Sequence, residues 1–291
     1  MTESGLLLKG VGSFYEVLTE SGEVVTSKAR GAFRREGLVP TVGDRVLIER
    51  KEQGYAQLTD VLARKNLLVR PPVANVDQLL IVLSASAPEP DWLLVDRLII
   101  SAKRMHIDPI PVLNKIDTAD EAVVQTFLTD YAAFPTISVS AETGEGLDAL
   151  RLRLIGKVSC FAGQSAVGKS SLLNALIPDL HLETGELSRK TDRGRHTTRH
   201  AQLWPYESGA VLDTPGFSMF ETEVLEQEEL DACYPEFEQA FPCRFPGCMH
   251  LSEPDCGVKP LLAEGKLSAG RYERYREIAL DYQMRRKHRY D

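Results

Sequence analysis

The chain has 291 residues, of which 43% are hydrophobic and 26% are charged, as in an ordinary soluble globular protein. The longest apolar run, Leu79–Leu83, is far shorter than the roughly 20 residues that span a bilayer. The first residues lack the features of a signal peptide. We therefore expect a cytoplasmic protein without membrane contacts. The net charge of −8 is uneven: residues 1–70 (+2) and 265–291 (+4) are basic, which allows nucleic-acid contacts at both ends, whereas 71–222 (−6) and 223–264 (−8) are acidic.

Residues 1–70 have the pattern of a small β-barrel, in which short stretches of alternating apolar residues are separated by glycine-containing turns. The clearest strand candidates are Phe14–Leu18, Val24–Lys28, Arg45–Glu49 and Tyr55–Val61. About five short strands in such a segment favour an OB-fold, which often binds nucleic acid through basic and aromatic side chains. The candidates for that contact, each equally compatible with ordinary solvated surface, are Lys28, Arg30, Arg34, Arg35, Phe14, Tyr15 and Phe33.

Residues 71–222 alternate strands and helices, beginning at Pro71-Pro72, which we expect to stiffen a domain boundary. The periodicity of Asp91–Met105 predicts a helix with one apolar face. The strand candidates are Val76–Leu83, Ile110–Leu113, Thr136–Val139, Val158–Ala162 and Ala210–Leu212. This alternation predicts an α/β fold in which helices cover both sides of a parallel sheet.

Three short motifs in this segment are those of a GTPase, but in an unusual order. Asn114–Asp117 (NKID) has the pattern that reads guanine, Gly163–Ser170 (GQSAVGKS) the pattern that cradles phosphates, and Asp213–Gly216 (DTPG) the pattern that senses the third phosphate. In most GTPases the phosphate loop comes first and the base-reading motif last. The sequence therefore predicts a circularly permuted P-loop GTPase domain.

The phosphate loop stands between a predicted strand and a predicted helix, Ser170–Ile177, so its backbone N–H groups can converge on phosphate oxygens at a helix N-terminus. Lys169 would place a positive charge on the outer phosphates and is a candidate catalytic residue, and Ser170 is expected to ligate Mg²⁺. The residues expected to contact the nucleotide here are Gly163, Gln164, Ser165, Ala166, Val167, Gly168, Lys169, Ser170 and Ser171.

Guanine is expected to be read by the NKID motif together with the loop after the next strand. The Asp117 carboxylate can accept two parallel hydrogen bonds from guanine, a pair that adenine cannot donate. Asn114 would brace the loop, and the stem of Lys115 would lie on the base. Ser140 and Ala141 stand where a backbone N–H meets the guanine carbonyl, with a plain helix cap as the alternative.

The DTPG motif is expected to complete the site. Asp213 would hold Mg²⁺ through water, and the N–H of Gly216 would bond the γ-phosphate and lose it on hydrolysis. Many GTPases carry a water-orienting glutamine at the next position. Here it is Phe217, so another group must position the water, or intrinsic hydrolysis is slow.

The basic loop before DTPG offers further candidates in Arg193–Thr198. Thr198, favoured over Thr197, would ligate Mg²⁺. His196 would orient water or sense charge, and the alternative is that it only packs or contacts a partner. The positive charge of this loop also allows contacts with RNA phosphates.

Residues 223–291 combine an acidic helical stretch, Glu223–Ala240, with a Cys/Pro/Gly-rich loop and a tyrosine-rich amphipathic helix that Ser268 can cap. The apolar face of that helix is formed by Tyr272, Tyr275, Ile278, Ala279 and Tyr282. The loop supplies three thiolates and one imidazole, from Cys243, Cys248, His250 and Cys256. These complete a tetrahedral shell, which predicts one closed structural zinc site per chain. We expect Cys160 and Cys233 to pack rather than to ligate metal.

The barrel, the permuted motifs and the Cys-x4-Cys-x-His-x5-Cys module together resemble the RsgA family of bacterial ribosome small-subunit-dependent GTPases, also called YjeQ or YloQ. GQSAVGKSSLLN, GRHTT and DTPGF carry this resemblance, which covers essentially the whole chain. It implies an OB-fold over 1–70, the GTPase domain over 71–222 and a mostly helical zinc domain over 223–291.

The resemblance also implies that the chain hydrolyses GTP with Mg²⁺, binds the small (30S) ribosomal subunit, assists its late maturation and is stimulated by it. It makes 16S rRNA a partner and His196 a catalytic candidate, and we expect a monomer. One departure is that Arg199 follows two threonines where the family pattern has a longer threonine run, so the Mg²⁺-ligating threonine stays open between Thr197 and Thr198.

The permuted order itself favours a switch that grips a large partner, because DTPG leads through few residues into the zinc module. Two other functions remain compatible with the motifs. One is a binding module whose slow hydrolysis serves only as a timer, which Phe217 favours. The other is a GTPase that acts on tRNA or at a membrane, because P-loop folds serve many functions.

Overall fold

A computed structural model describes most of the chain. The described residues are 2–31, 33, 37–51, 54–69, 71–177, 180, 201–213 and 225–288. Within these ranges the chain forms a closed five-stranded barrel, a six-stranded sheet with helices on both faces, and a helical C-terminal part around a Cys/His cluster. None of the helices in these ranges has the length and hydrophobicity needed to cross a bilayer.

The barrel confirms the predicted OB-like fold of the N-terminal part. Its strands are β1 (Thr2–Val11), β2 (Phe14–Thr19), β3 (Val24–Ala29), β4 (Arg45–Arg50) and β5 (Ala56–Val61). They close in the order β1-β2-β3-β5-β4, with β3 and β5 parallel and β1 antiparallel to β4. The sequence pattern does not indicate β1, because Gly5 and Gly10 interrupt it and glycine is depleted in strands.

A short hairpin follows the barrel, formed by β6 (Leu67–Val69) and β7 (Pro72–Ala74). The predicted stiff boundary thus falls in this hairpin, where Pro72 pairs with Val69. Arg64, just before it, makes a bidentate ion pair with the fully buried Asp44 of the barrel, with N–O distances of 2.7 and 2.8 Å. This pair anchors the connecting segment to the barrel.

The central sheet has the predicted parallel architecture. Its strands are β8 (Gln78–Ser84), β9 (Asp108–Asn114), β10 (Ile137–Ser138), β11 (Val158–Ala162), β12 (Trp204–Tyr206) and β13 (Gly209–Asp213). Their order is β10-β9-β8-β11-β13-β12, and every pairing is parallel except that of β12 with β13. Every residue of β8 and β11 is buried, which explains their continuous apolar character.

Helices cover both faces of this sheet. They are α1 (Trp92–Arg104), α2 (Glu121–Asp130), α3 (Leu147–Leu154) and α4 (Lys169–Leu176). Alternate residues of β8 point to opposite faces: Leu79 and Ile81 pack with α1 and α2, whereas Leu80 and Val82 pack with α3 and α4. The first of these clusters continues into the interior of the barrel.

The C-terminal part contains α5 (Gln227–Asp231), a 3-10 helix (Pro235–Gln239), α6 (Lys259–Ala263) and α7 (Ala269–His288). The expectation of one helical stretch over Glu223–Ala240 was wrong for its described residues, which form two short helices. Pro235 lacks an N–H and clashes with the preceding turn, so α5 ends at Asp231. The predicted buried face of α7 and its Ser268 cap are confirmed, and Ser268 Oγ accepts from the Arg271 N–H at 3.0 Å.

Candidate functional site

The NKID motif, the phosphate loop and Asp213, the first residue of DTPG, meet at one edge of the central sheet, at the carboxyl ends of its parallel strands. β9 ends at Asn114, β11 leads into the loop that begins at Gly163, and β13 ends at Asp213 beside Phe161 of β11. Ligands in open α/β sheets bind at this edge. The fold thus brings together motifs that the permuted sequence keeps apart.

The phosphate loop has a backbone that its glycines make possible. Gly163 has φ 141°, and a Cβ there would lie 2.1 Å from the carbonyl oxygen of Val82. Gly168 has φ 94° at the N-cap of α4, and a Cβ there would lie 2.4 Å from Asn114 Nδ2. A side chain at either position would force the loop away from the strand or from the base-reading motif.

Lys169 is folded back onto its own loop. Its Nζ donates to the carbonyl oxygens of Gly163 at 2.8 Å and Gln164 at 2.6 Å. The ammonium therefore already lies inside the loop that is expected to receive phosphates. Ser170 is half-buried and Ser171 exposed in the first turn of α4, while Ser165, Ala166 and the buried Val167 complete the loop.

Asn114 ties the base-reading motif to two other loops. Its Nδ2 donates to the carbonyl of Val167 at 2.9 Å, and its Oδ1 accepts from the N–H of Ala141 at 3.2 Å. Lys115 has φ 64°, and its Nζ donates to the carbonyl of Ala166 at 2.9 Å. These bonds hold NKID against the phosphate loop.

The Asp117 carboxylate is exposed at the mouth of the site and is oriented from behind. Ser140, which is fully buried, donates its Oγ hydrogen to Asp117 Oδ1 at 2.5 Å. The same Ser140 oxygen accepts from the N–H of Thr143 at 3.1 Å. Ser140 therefore fixes the direction in which Asp117 presents its acceptors.

Several predicted residues lie outside the described part of the chain. These are His196, Thr197, Thr198, Gly216 and Phe217, together with the side chain of Asp213. Their roles in Mg²⁺ ligation, γ-phosphate sensing and water positioning stay predictions.

The four predicted metal ligands converge in the C-terminal part. The ligand atoms of Cys243, Cys248, His250 and Cys256 all lie within 4.8 Å of one another. His250 Nδ1 is 3.5 Å from the sulfur of Cys243 and 3.4 Å from that of Cys256. Three sulfurs and one imidazole nitrogen in this arrangement can hold a metal ion.

A second layer of polar groups orients His250. Its Nε2 lies 3.0 Å from Asp231 Oδ2, which directs Nδ1 toward the thiols, and its carbonyl accepts from the Tyr272 hydroxyl at 2.6 Å. Asp231 Oδ1 in turn accepts from the hydroxyl of Tyr275 at 3.0 Å. A carboxylate behind a histidine is a common support for a metal ligand. The sequence did not reveal Asp231, which lies 19 residues before His250 in no recognisable spacing.

The protonation of the cluster reflects this packing. Burial opposes protonation of His250, but the hydrogen bonds and charges of Asp231 and Cys256 outweigh it and raise its pKa to about 9. Burial would also raise the pKa of Cys256, yet the bond from His250 and nearby backbone donors lower it. Burial and the neighbouring thiols raise the pKa of Cys248 to about 12. A bound cation would replace these protons, because metal ligands bind in their deprotonated forms.

Comparison with known proteins gives a consistent set of matches. The family model described as RsgA GTPase matches residues 61–223, and the one described as RsgA N-terminal domain matches residues 4–57. The small ribosomal subunit biogenesis GTPase RsgA of Geobacillus sp. (strain WCH70) is 43% identical over 277 residues, covering 93% of this chain and 94% of the relative. The protein of the same name from Geobacillus thermodenitrificans (strain NG80-2) is 41% identical over 288 residues, covering 97% and 98%.

Solved structures agree with these relatives. YjeQ from Thermotoga maritima superposes with a TM-score of 0.84 at 36% identity, covering 97% of this chain and 99% of that one. YloQ, described as a circularly permuted GTPase, superposes with a TM-score of 0.82 at 34% identity, covering 98% and 96%. The likeness therefore extends over the barrel, the sheet and the C-terminal part.

Proposed function

The chain belongs to the RsgA family of circularly permuted GTPases, and on that premise we propose that it binds the small (30S) ribosomal subunit, assists its late maturation and hydrolyses GTP faster when bound. The observation that carries the proposal is that Asn114 joins the base-reading motif to the phosphate loop. This arrangement occurs in a chain that matches small-subunit biogenesis GTPases over nearly its whole length. The division into domains at residues 1–70, 71–222 and 223–291 is part of the proposal, supported by the separate family matches over 4–57 and 61–223.

We assign guanine recognition to Asp117, with Ser140 holding its carboxylate and Asn114 and Lys115 bracing the loop. The backbone of the phosphate loop and Lys169 would hold the phosphates. When GTP binds, Mg²⁺ would supply a positive charge that draws electrons from the γ-phosphate. Its proposed ligands are Ser170, Thr198 and Asp213, and His196 is the proposed water-positioning residue.

We further propose that the Cys/His cluster holds one structural zinc ion. Three buried or half-buried thiols, a histidine aimed by Asp231 and a full set of four ligands fit a closed zinc site. Zinc would fix the loop 243–256 on α7, where the Tyr272 hydroxyl already donates to the His250 carbonyl. This loop has little apolar core of its own, so the metal would supply much of its stability.

Replacing Cys248 with alanine is expected to release the zinc and weaken binding to the small subunit, while nucleotide affinity changes less than about threefold. The cluster lies in the C-terminal part, away from the phosphate loop, so its loss removes a docking element without removing nucleotide contacts. Zinc per chain is measured by elemental analysis, and subunit binding by co-sedimentation. Cys233→Ala is the matched control, because its buried thiol bonds the Glu229 carbonyl outside the cluster. Unchanged zinc content in Cys248→Ala would contradict the assignment.

The barrel is proposed to contact 16S rRNA. Phe14 is 47% exposed, and the Lys28 ammonium lies 5.7 Å from the centre of its ring, an arrangement suited to base stacking beside phosphates. Phe33, in contrast, is 5% exposed and packs in the core, so the expectation that it contributes to such a surface was wrong. Arg34 and Arg35 lie outside the described residues. We also propose that the chain acts as a cytoplasmic monomer.

The deciding experiment is GTP hydrolysis by the purified chain, alone and with isolated small or large ribosomal subunits. We expect the small subunit to raise the rate at least about tenfold, and the large subunit to leave it unchanged. Subunit binding without acceleration would favour the alternative of a binding module timed by slow hydrolysis. Acceleration by neither subunit, with no binding, would contradict the ribosomal partner and leave the GTPase.

A further inference from the structure

Helix α1 belongs to two cores at once. Its residues Val95, Leu98 and Ile99 pack against the central sheet, in the cluster that continues into the barrel. Ile100, on another side of the same helix, packs among the buried residues of the C-terminal part. A movement of α1 therefore displaces residues in both the central sheet and the C-terminal part, because closely packed interiors transmit displacement rather than absorb it.

The contact between α1 and the C-terminal part is built on a buried carboxylate. Asp96 is fully buried and accepts from Arg271 Nη1 at 2.6 Å, Arg274 Nε at 2.7 Å and the Tyr131 hydroxyl at 2.8 Å. Arg271 is itself 1% exposed, with its guanidinium carbon 4.4 Å from the centre of the Tyr234 ring. A buried charge needs a partner in good geometry, so these arginines hold α7 in a defined orientation on α1.

A second carboxylate strengthens this grip. Asp130, at the end of α2, accepts from Arg274 Nη2 at 2.8 Å and from the hydroxyl of Ser268, the residue that caps α7. The start of α7 is thus tied to α1 and α2 together. Loosening α1 would disturb this network at Asp96, whereas exposed ion pairs on the outer side of α7 would be unaffected.

The N-terminal end of α1 is tied to the phosphate loop. The N–H of Asp91, the N-cap residue, donates to Gln164 Oε1 at 3.0 Å, and the Asp91 carboxylate caps the helix by accepting from the Leu94 N–H. The carbonyl of the same Gln164 accepts from Lys169 Nζ. Asp91 and Asp96 are five residues apart, about 7.5 Å along the helix axis. A short rigid element therefore separates the phosphate loop from the buried arginines.

We propose that Gln164 is a positioning residue that couples the phosphate loop to α7 through α1. A bound diphosphate draws Lys169 toward its oxygens and fixes the phosphate loop. The Gln164 side chain, held in that loop, then restricts the motion of the α1 N-terminus. Because Asp96 of α1 binds Arg271 and Arg274, the start of α7 is restricted as well. By reciprocity, a partner that holds α7 raises nucleotide affinity. The inference rests on the proposed nucleotide binding at this loop, but it needs neither the γ-phosphate contact of DTPG nor the ribosomal subunit.

Hydrogen exchange of the full-length, zinc-loaded protein tests this coupling with GDP as the ligand, because GDP engages the phosphate loop without a γ-phosphate. We expect saturating GDP to slow amide exchange about fivefold in α1 and in residues 269–279 of α7. Gln164→Met keeps the side-chain length but removes the acceptor for the Asp91 N–H. Once saturated with GDP, as checked by calorimetry, this variant should show protection of the phosphate loop but no response in α7.

A second variant breaks the route at its other end. Arg274→Gln should keep the GDP response of α1 and lose most of that in α7. Arg276→Gln loses an exposed pair with Glu273 and a contact with the Tyr272 ring, both within α7, so it should behave like the unmodified protein. An α7 response that is absent in the unmodified protein, or equally large in Gln164→Met, would overturn the coupling while leaving the GTPase assignment intact. Failure of the unmodified protein to bind GDP would overturn both.

Discussion

Replacing Ser170 with alanine is expected to reduce Mg²⁺-dependent GTP turnover at least about 100-fold. Ser170 is half-buried in the first turn of α4, immediately after the lysine that points into the phosphate loop. In P-loop proteins the hydroxyl at this position ligates Mg²⁺, and the metal neutralises the charge that develops on the γ-phosphate. Alanine removes the ligand without disturbing the helix, in which alanine is favoured. Phosphate release at saturating Mg·GTP measures the loss.

Ser170→Thr is the matched control for this prediction, because it restores the hydroxyl at the same place. We expect it to retain turnover within about tenfold of the unmodified chain, since only a methyl group is added. Both variants should keep the melting temperature within a few degrees, which separates a lost metal ligand from a lost fold. Normal turnover by the alanine variant would refute the proposed role of Ser170.

The nucleotide-binding half of the molecule was predictable because its signals are local. A buried parallel strand shows as a continuous apolar run, as in Val158–Ala162, and the glycines at 163 and 168 mark the turn that follows. The carboxyl ends of parallel strands meet at one edge, so three motifs in permuted order still predict one site. The hydrogen bonds of Asn114 to two other loops show how that edge is assembled.

The junction between α1 and α7 was not predictable, because it depends on pairs that are distant in the chain. Asp96 and Arg271 are 175 residues apart, and each by itself reads as a charged residue on a solvated helix face. Burial of both is decided by the docking of two helices, which no local pattern records. The prediction that Phe33 lies on a binding surface was wrong for a related reason: an aromatic side chain beside basic residues is compatible with a binding surface and equally with a core.

The second prediction with a large effect concerns base recognition. Replacing Asp117 with asparagine is expected to lower affinity for guanine nucleotides roughly 100-fold or more and to create affinity for xanthine nucleotides. A carboxylate only accepts hydrogen bonds, so it matches the ring N–H and amino group of guanine. With asparagine at this position, guanine loses one charged hydrogen bond, and the amide N–H₂ faces a guanine donor that it cannot pair with; both effects weaken binding. An asparagine amide donates on one side and accepts on the other, which matches the carbonyl and ring N–H of xanthine. Competition of GDP and XDP against a fluorescent nucleotide measures the change.

Asp120→Asn is the matched control, because Asp120 is also exposed, lies three residues further on and loses the same charge, but its carboxylate caps α2 by accepting from the Ala122 N–H. We expect that variant to keep its preference for guanine.

Ser140→Ala should show a smaller loss of affinity, about tenfold, with the preference for guanine preserved, because it removes the 2.5 Å bond that orients Asp117 but leaves both carboxylate acceptors in place. Preserved guanine preference in Asp117→Asn would show that another group reads the base. Ser140 is buried behind the exposed Asp117 carboxylate, so it cannot contact the base edge that Asp117 reads. We therefore expect Asp117 to decide which base is bound and Ser140 to change only the affinity.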